Sequence, residues 1–232
     1  MAHYCSDNKD VFYLMDQEHK FVHKLYELFK SILTALKAES NPPKEDLKKM
    51  LKLLHLYGDV YHHGKEEQIL FPEADKNGIV GKQGGPHCSL FFGKYLQNDH
   101  LPKIKALSKK YPTILPYKAS KDAQALLDKN SPLCIPLNEH EVSYYANQIM
   151  KEELKKGDSW SKAYFLKAAD IYLQMLADHI KKEDECLLVV LQKNFSEKTK
   201  LYLYDLFEEF NHRHEDILHQ AKDIFIDLQA RY

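Results

Sequence analysis

Glycine and proline are scarce in this chain, with 8 and 9 residues among 232. So few strong breakers favour long helices over many short strands joined by turns. No apolar run approaches the roughly 18 residues that a membrane-spanning helix needs, and we therefore expect no membrane partner. The N-terminal residues have neither a basic start nor an apolar stretch, which argues against a secretion signal.

Charge of one sign and closely spaced cysteines are also missing. Lys and Arg total 33 against 34 Asp and Glu, and without a basic excess we expect no nucleic-acid partner. The cysteines, Cys5, Cys88, Cys134 and Cys186, have no CxxC spacing. Neither a disulfide framework nor a zinc–thiolate site is therefore expected, and we predict reduced thiols and a cytoplasmic location.

Apolar residues at steps of three and four predict long amphipathic helices. One helix covers about 11–36, and a second starts near Lys44 and has either its last turn or its stop at Pro72. A third covers about 137–155, and a fourth begins near Ser159. Ser196 is a predicted N-cap of a C-terminal helix over about 196–230. This order predicts an antiparallel helical bundle with short connections.

Several glycines and prolines divide the residues between the second and third helices. Short helices are predicted there at about 89–97, 101–109 and 120–128. We interpret 78–132 as an insertion into one domain, 1–232, rather than as a separate domain. The bundle core then comprises about 10–77 and 133–195.

Histidine is enriched, with 13 residues, and several histidines interrupt the apolar helix faces. His19 lies on the first face, and His179 and Glu183 lie on the fourth. His62 and Glu66 share the second. Burying an unpaired carboxylate is costly, and we expect no Lys or Arg on these faces. A bound metal would supply the missing positive charge.

The spacing of these residues supports a metal site. Residues four apart share a helix face, with Cβ atoms about 5–6 Å apart, and a His-x-x-x-Glu pair occurs twice. Each pair follows a Glu-His dipeptide on the preceding main helix: Glu18-His19 before His62 and Glu66, and Glu139-His140 before His179 and Glu183. Two such hairpins, related by pseudo-twofold symmetry, would gather four imidazoles and two carboxylates, enough for two bridged divalent ions.

The donor types limit the choice of metal. Imidazole and carboxylate without thiolate suit iron or manganese, and zinc is also possible. This donor set would leave coordination positions open for chemistry on a small molecule.

These segments resemble the hemerythrin-like (HHE) family of di-iron proteins. The most distinctive is HHGKEEQILFP at 62–72; DQEH at 16–19, GGP at 84–86 and LNEHE at 137–141 resemble further family motifs. HIKKEDECLL at 179–188 resembles the last motif, although Val189-Val190 stand where the family has Phe-Pro. The resemblance implies an all-α, up-and-down four-helix bundle around two non-haem iron ions. It suggests six ligands: His19, His62, Glu66, His140, His179 and Glu183.

Other residues near these motifs have competing interpretations. His63 points about 100° away from His62 on an α-helix, which favours a role behind the ligands or at the surface. His87 follows GGP and competes with His140 for the third motif's ligand position. His214 is interpreted as a core histidine. Tyr144 and Tyr172 are expected in core packing, or as phenols lining the metal pocket.

The main functional hypothesis is a cytoplasmic di-iron protein that binds and reacts with a small oxidant: dioxygen, peroxide or nitric oxide. A non-enzymatic carrier or sensor of oxygen or nitric oxide is an alternative. Iron donation in repair of iron–sulfur clusters is another, and an oxygenase acting on an organic substrate is a third. The sequence does not choose between enzyme and binding protein, and it predicts no particular protein partner.

Overall fold

The computed structural model describes residues 9–38, 42–78, 100–128 and 133–232. These residues are almost entirely helical and include no strand, so the all-α prediction is confirmed. None of the described helices is both long enough and apolar enough to cross a membrane. Cys186 is disulfide-bonded and Cys134 is a free thiol. The expectation of reduced thiols is therefore wrong for Cys186; Cys5 and Cys88 lie outside the described residues.

Helix α1 spans Val11–Lys37, and the Asp10 side chain caps it by accepting from the Phe12 N–H. Helix α2 is one helical run in five segments. Its α-helical parts are Lys44–Leu53, His63–Lys65 and Phe71–Lys76, and two π-helical stretches, Leu54–His62 and Glu66–Leu70, lie between them.

Of the two alternatives for Pro72, the last turn agrees with the structure and the stop does not, since α2 ends about one turn later at Lys76. Pro72 stands in the first turn after the second π-helical stretch. A proline lacks the N–H that an α-helix interior needs. Here the hydrogen-bonding register changes just before Pro72, and that change accommodates the missing donor.

The described part of the predicted insertion contains α3 (His100–Ser108) and α4 (Lys121–Asp128). Both helices contact α5. They agree with two of the three short helices expected there; the third, at about 89–97, and GGP at 84–86 lie outside the described residues.

Helix α5 spans Cys134–Lys155 and α6 begins with Lys162–Lys182. A short turn at Gly157–Ser159 joins them. Helix α6 then passes through a π-helical stretch, Glu183–Leu187, and ends with Leu188–Asn194. Both His-x-x-x-Glu pairs are thus followed by a π-helical stretch of five residues that begins at the glutamate.

The predicted C-terminal helix is divided into α7 (Glu197–Arg213) and α8 (Glu215–Gln229). Ser196 caps α7 as predicted, accepting from the Thr199 N–H. The break falls at His214, whose ring stacks on Phe210 with centroids 3.9 Å apart. Its Nδ1 lies 2.8 Å from the Phe210 carbonyl oxygen. His214 therefore ends one helix, and this local role replaces its predicted place on a continuous core face.

Helices α1, α2, α5 and α6 contact one another around an apolar interior. Phe29, Leu51, Ile149 and Phe165 are among its fully buried side chains. Helix α7 lies against α1 and the second π-helical stretch of α2, and α8 lies against the first half of α2. The up-and-down order and the domain limits stay predictions.

Candidate metal centre

The six predicted ligands lie on four helices and are all deeply buried. His19 is on α1, His140 is on α5, and α2 and α6 each carry one His-x-x-x-Glu pair. None of the six is more than 2% exposed. Burial of this kind for four imidazoles and two carboxylates requires compensating polar partners or a cation.

Their ligand atoms form two adjoining groups that share Glu66. One group consists of His19, His62, Glu66 and Glu183, and the other of His63, Glu66, His140 and His179; within each, the ligand atoms all lie within 4.8 Å of one another. Glu183 also lies near the second group, with its Oε2 3.5 Å from His179 Nε2 and 3.4 Å from His19 Nε2. Glu66 Oε2 is 3.3 Å from His140 Nε2.

The atoms that face this interior have no hydrogen-bond partner. Within the described part of the chain, this holds for Nε2 of His19, His62, His140 and His179 and for both carboxylate oxygens of Glu66 and Glu183. Buried polar atoms are nearly always paired in folded proteins. Imidazole nitrogens and carboxylate oxygens turned toward one point fit a bound divalent cation.

The opposite nitrogen of each of these histidines contacts a carboxylate. Asp184 lies 2.5 Å from His19 Nδ1, and Glu18 lies 3.2 Å from His62 Nδ1. Glu67 lies 2.9 Å from His140 Nδ1, and Glu139 lies 3.1 Å from His179 Nδ1. A carboxylate that accepts the Nδ1 proton leaves Nε2 free for a metal and fixes the ring orientation.

The sequence-based ligand set omitted these four carboxylates, although a signal for them was present. Each directly adjoins a predicted ligand: Glu18 precedes His19, Glu67 follows Glu66, Glu139 precedes His140 and Asp184 follows Glu183. Each also orients a histidine on a different helix from its own. The four contacts therefore form a closed ring from α1 through α2, α5 and α6.

Two buried lysines contact the carboxylates behind the histidines. Lys65 and Lys182 are both buried, because each contacts a carboxylate of the ring. Lys65 donates to Glu18 and Lys182 pairs with Glu139. These lysines neutralise the carboxylates behind the histidines, whereas Glu66 and Glu183 still face the interior without a hydrogen bond.

Without a metal, protons compensate part of this negative charge. Burial lowers the pKa of His19, but the hydrogen bond to Asp184 and the negative charges of Glu183 and Asp184 outweigh it and raise the pKa to about 10. For His140, burial is likewise outweighed by Glu66 and Glu67, and its pKa also rises to about 10. Burial lowers the pKa of His179. Metal binding would have to displace the protons of His19 and His140.

His63 is more central than the sequence indicated. It is buried, its ring stacks on His140 with centroids 3.9 Å apart, and it belongs to the second ligand group. The expected 100° separation assumed an α-helix, but a π-helical stretch ends at His62. A π turn contains more residues than an α turn, so side chains along that stretch are rotated by less than about 100° per residue. His63 itself is buried beside the ligand atoms of Glu66, His140 and His179.

The remaining sequence candidates have other surroundings. His214 belongs to neither ligand group among the described residues, and His87 lies outside those residues. The Tyr144 hydroxyl donates to the Leu115 carbonyl in the insertion. Tyr172 is buried and packs edge-on against Phe29 with centroids 6.0 Å apart, which agrees with a packing role.

The fold and this cluster define a helical protein with a buried histidine–carboxylate site suited to metal. Residues 10–86 match the model of the hemerythrin HHE cation binding domain, which confirms the resemblance read from the sequence. The match covers about a third of the chain and includes His19, His62, His63 and Glu66. Comparisons with curated proteins and with solved structures gave no match.

Proposed function

We propose that the protein holds two iron ions between its helices and reacts there with a small oxidant. The ligands are His19, His62, Glu66, His140, His179 and Glu183. The observation that carries the proposal is that their inward-facing nitrogen and oxygen atoms are buried without partners. The match to a cation-binding domain over residues 10–86 supports it independently.

His63 is proposed as a seventh donor. Its ligand atom lies within 4.8 Å of those of Glu66, His140 and His179. One metal position would then have three histidines, while the position at His19 and His62 has two. An unequal donor count leaves more room for a small molecule at the latter position, which favours binding of dioxygen, peroxide or nitric oxide there.

Bound iron would supply one electron per ion to the oxidant. The protein's part is to hold the donors still and keep water out. The four ring carboxylates fix the histidine planes, and Phe71 stacks beside His140 with ring centroids 5.9 Å apart. Glu66 and Glu183 each approach histidines of both positions, an arrangement suited to bridging carboxylates.

Metal analysis of the freshly purified protein, with optical spectra before and after oxygen is added to the reduced form, tests this proposal. We expect about two irons per chain and new absorption on oxidation. His62→Ala should lose metal, whereas His55→Ala, a histidine on the same helix outside both ligand groups, should retain it. Retention of two irons by His62→Ala would refute the ligand assignment.

The same experiment separates the functional classes. Absorption that forms with oxygen and then decays indicates turnover, and hence an enzyme. Absorption that is stable and disappears when oxygen is removed indicates a carrier or sensor. A separate assay tests the third class: transfer of the iron to an apo iron–sulfur protein would indicate an iron donor.

A cytoplasmic location stays a prediction from the sequence. The disulfide at Cys186 counts against a reducing compartment, because structural disulfides are rare in the cytosol. No protein partner is proposed.

A further inference from the structure

The described part of the insertion contacts the carboxylate ring directly. The residues between α3 and α4 bring Tyr117 and Ser120 onto Glu67 of α2. The Tyr117 hydroxyl donates to Glu67 Oε1 at 2.5 Å, and the Ser120 N–H donates to Glu67 Oε2 at 3.0 Å. The Ser120 hydroxyl also donates to the Glu67 carbonyl oxygen at 3.1 Å.

Tyr117 and His140 share one oxygen of Glu67. His140 Nδ1 lies 2.9 Å from the same Oε1 that accepts from the Tyr117 hydroxyl. A second donor on that oxygen withdraws negative charge from it, so the bond from the imidazole N–H is weaker than it would be otherwise. The strength of that bond sets the basicity of the imidazole and its electron donation at Nε2.

The insertion also shields the Glu67 carboxylate from water and holds it in one position as a hydrogen-bond acceptor. The Glu67 side chain is 8% exposed, whereas that of Asp184, the ring carboxylate behind His19, is 42% exposed. Water can solvate Asp184, and that competition weakens any single hydrogen bond to it. The carboxylate oxygens of Glu67 instead accept from Tyr117, Ser120 and His140. Removing one of these donors therefore changes the strength of the hydrogen bonds to the remaining two.

We propose that Tyr117 is a positioning residue that sets the reduction potential of the metal centre through Glu67 and His140. The inference rests on the proposed function, since it requires a redox metal at His140 Nε2. The insertion is then a tuning element of the centre rather than a surface addition. Its Tyr117 hydroxyl makes His140 a weaker electron donor and so favours the reduced metal.

Tyr117→Phe tests the inference by removing one hydroxyl while keeping the ring. Glu67 then accepts more strongly from His140, His140 becomes a stronger donor, and the oxidised metal is stabilised. We expect the midpoint potential of the iron-loaded protein to become more negative, with metal content unchanged. The matched control is Tyr144→Phe, whose ring lies 5.5 Å from that of Tyr117 and whose hydroxyl donates to Leu115 instead. Tyr144→Phe should keep the wild-type potential.

A second variant changes the hydrogen bond in the opposite direction. Tyr117→3,5-difluorotyrosine makes the phenol a stronger donor, and we expect the potential to become more positive. Far-UV circular dichroism and metal analysis of each variant confirm that the fold and the metal are retained. Equal potentials for Tyr117→Phe, Tyr144→Phe and wild type, or shifts of the same sign in both Tyr117 variants, would overturn the inference. A wild-type protein that binds no metal would overturn the proposed function itself.

Discussion

Replacing Lys65 by methionine should destabilise the metal-free protein strongly. Lys65 is fully buried, and each of its three ammonium donors has an acceptor. Besides Glu18, Nζ donates to the Tyr61 hydroxyl at 2.9 Å and to Asn211 Oδ1 at 2.6 Å. Removing one partner of a buried ion pair leaves the other charge uncompensated, at a cost of about 3–5 kcal/mol. We expect a loss of that size in the free energy of unfolding for Lys65→Met.

The double variant Lys65→Met with Glu18→Gln separates loss of charge balance from loss of packing. It removes both charges and keeps a hydrogen-bonding side chain of similar size at position 18. Replacing both members of a buried pair is often nearly neutral. The double variant should therefore recover most of the stability that the single variant loses.

Urea unfolding of the metal-free proteins, followed by circular dichroism, measures both effects. Lys9→Met is the control, because Lys9–Asp205 is likewise a lysine–carboxylate pair between distant parts of the chain but is more than half exposed on both sides. An ion pair this exposed to solvent contributes little to stability. The reasoning fails if Lys65→Met costs no more than Lys9→Met, or if the double variant is as unstable as Lys65→Met alone.

Three further outcomes follow from the centre. Because the pKa values of His19 and His140 rise to about 10, the stability they give the metal-free protein is full below pH 6.5 and lost as the pH rises toward 10. Thermal unfolding across that range should show a decline that the metal-loaded protein lacks. Glu67→Gln should weaken metal binding about 10–100-fold, as competition with a chelator would measure, and equal affinity would contradict its orienting role. His63→Ala should retain metal at His62 but change the optical spectrum; an unchanged spectrum would exclude His63 as a donor.

The part of the centre that the sequence predicted depends on local geometry. His62 and Glu66 share a face because they are four residues apart on one helix, and the same holds for His179 and Glu183. The repeat of this pair after a Glu-His dipeptide then indicated that two hairpins meet. Both inferences start from residue spacing within short segments, and the structure brings all six residues together.

What the sequence did not predict depends on helix packing or on changes of helical register. The π-helical stretches before His63 and before Pro72 leave no clear periodic signal in the sequence. The contact of Tyr117 with Glu67 joins residues 50 apart. From the sequence alone, Lys65 is expected to be a polar surface residue. In the structure Phe207 of α7 packs over it, with the ammonium 5.1 Å from the ring centroid.

The ring of carboxylates explains why acidic residues occur in pairs or beside histidines in the four motifs that contain the proposed ligands. In each motif at least one residue faces the candidate metal position, and an acidic neighbour orients a histidine on another helix. Glu18, for example, stands beside His19 but holds His62. A single motif therefore forms neither a complete ligand set nor a complete support. Two helices must pack before any one histidine is oriented, and all four must pack before the ring is closed. The metal site and the helix packing are consequently specified by the same dipeptides.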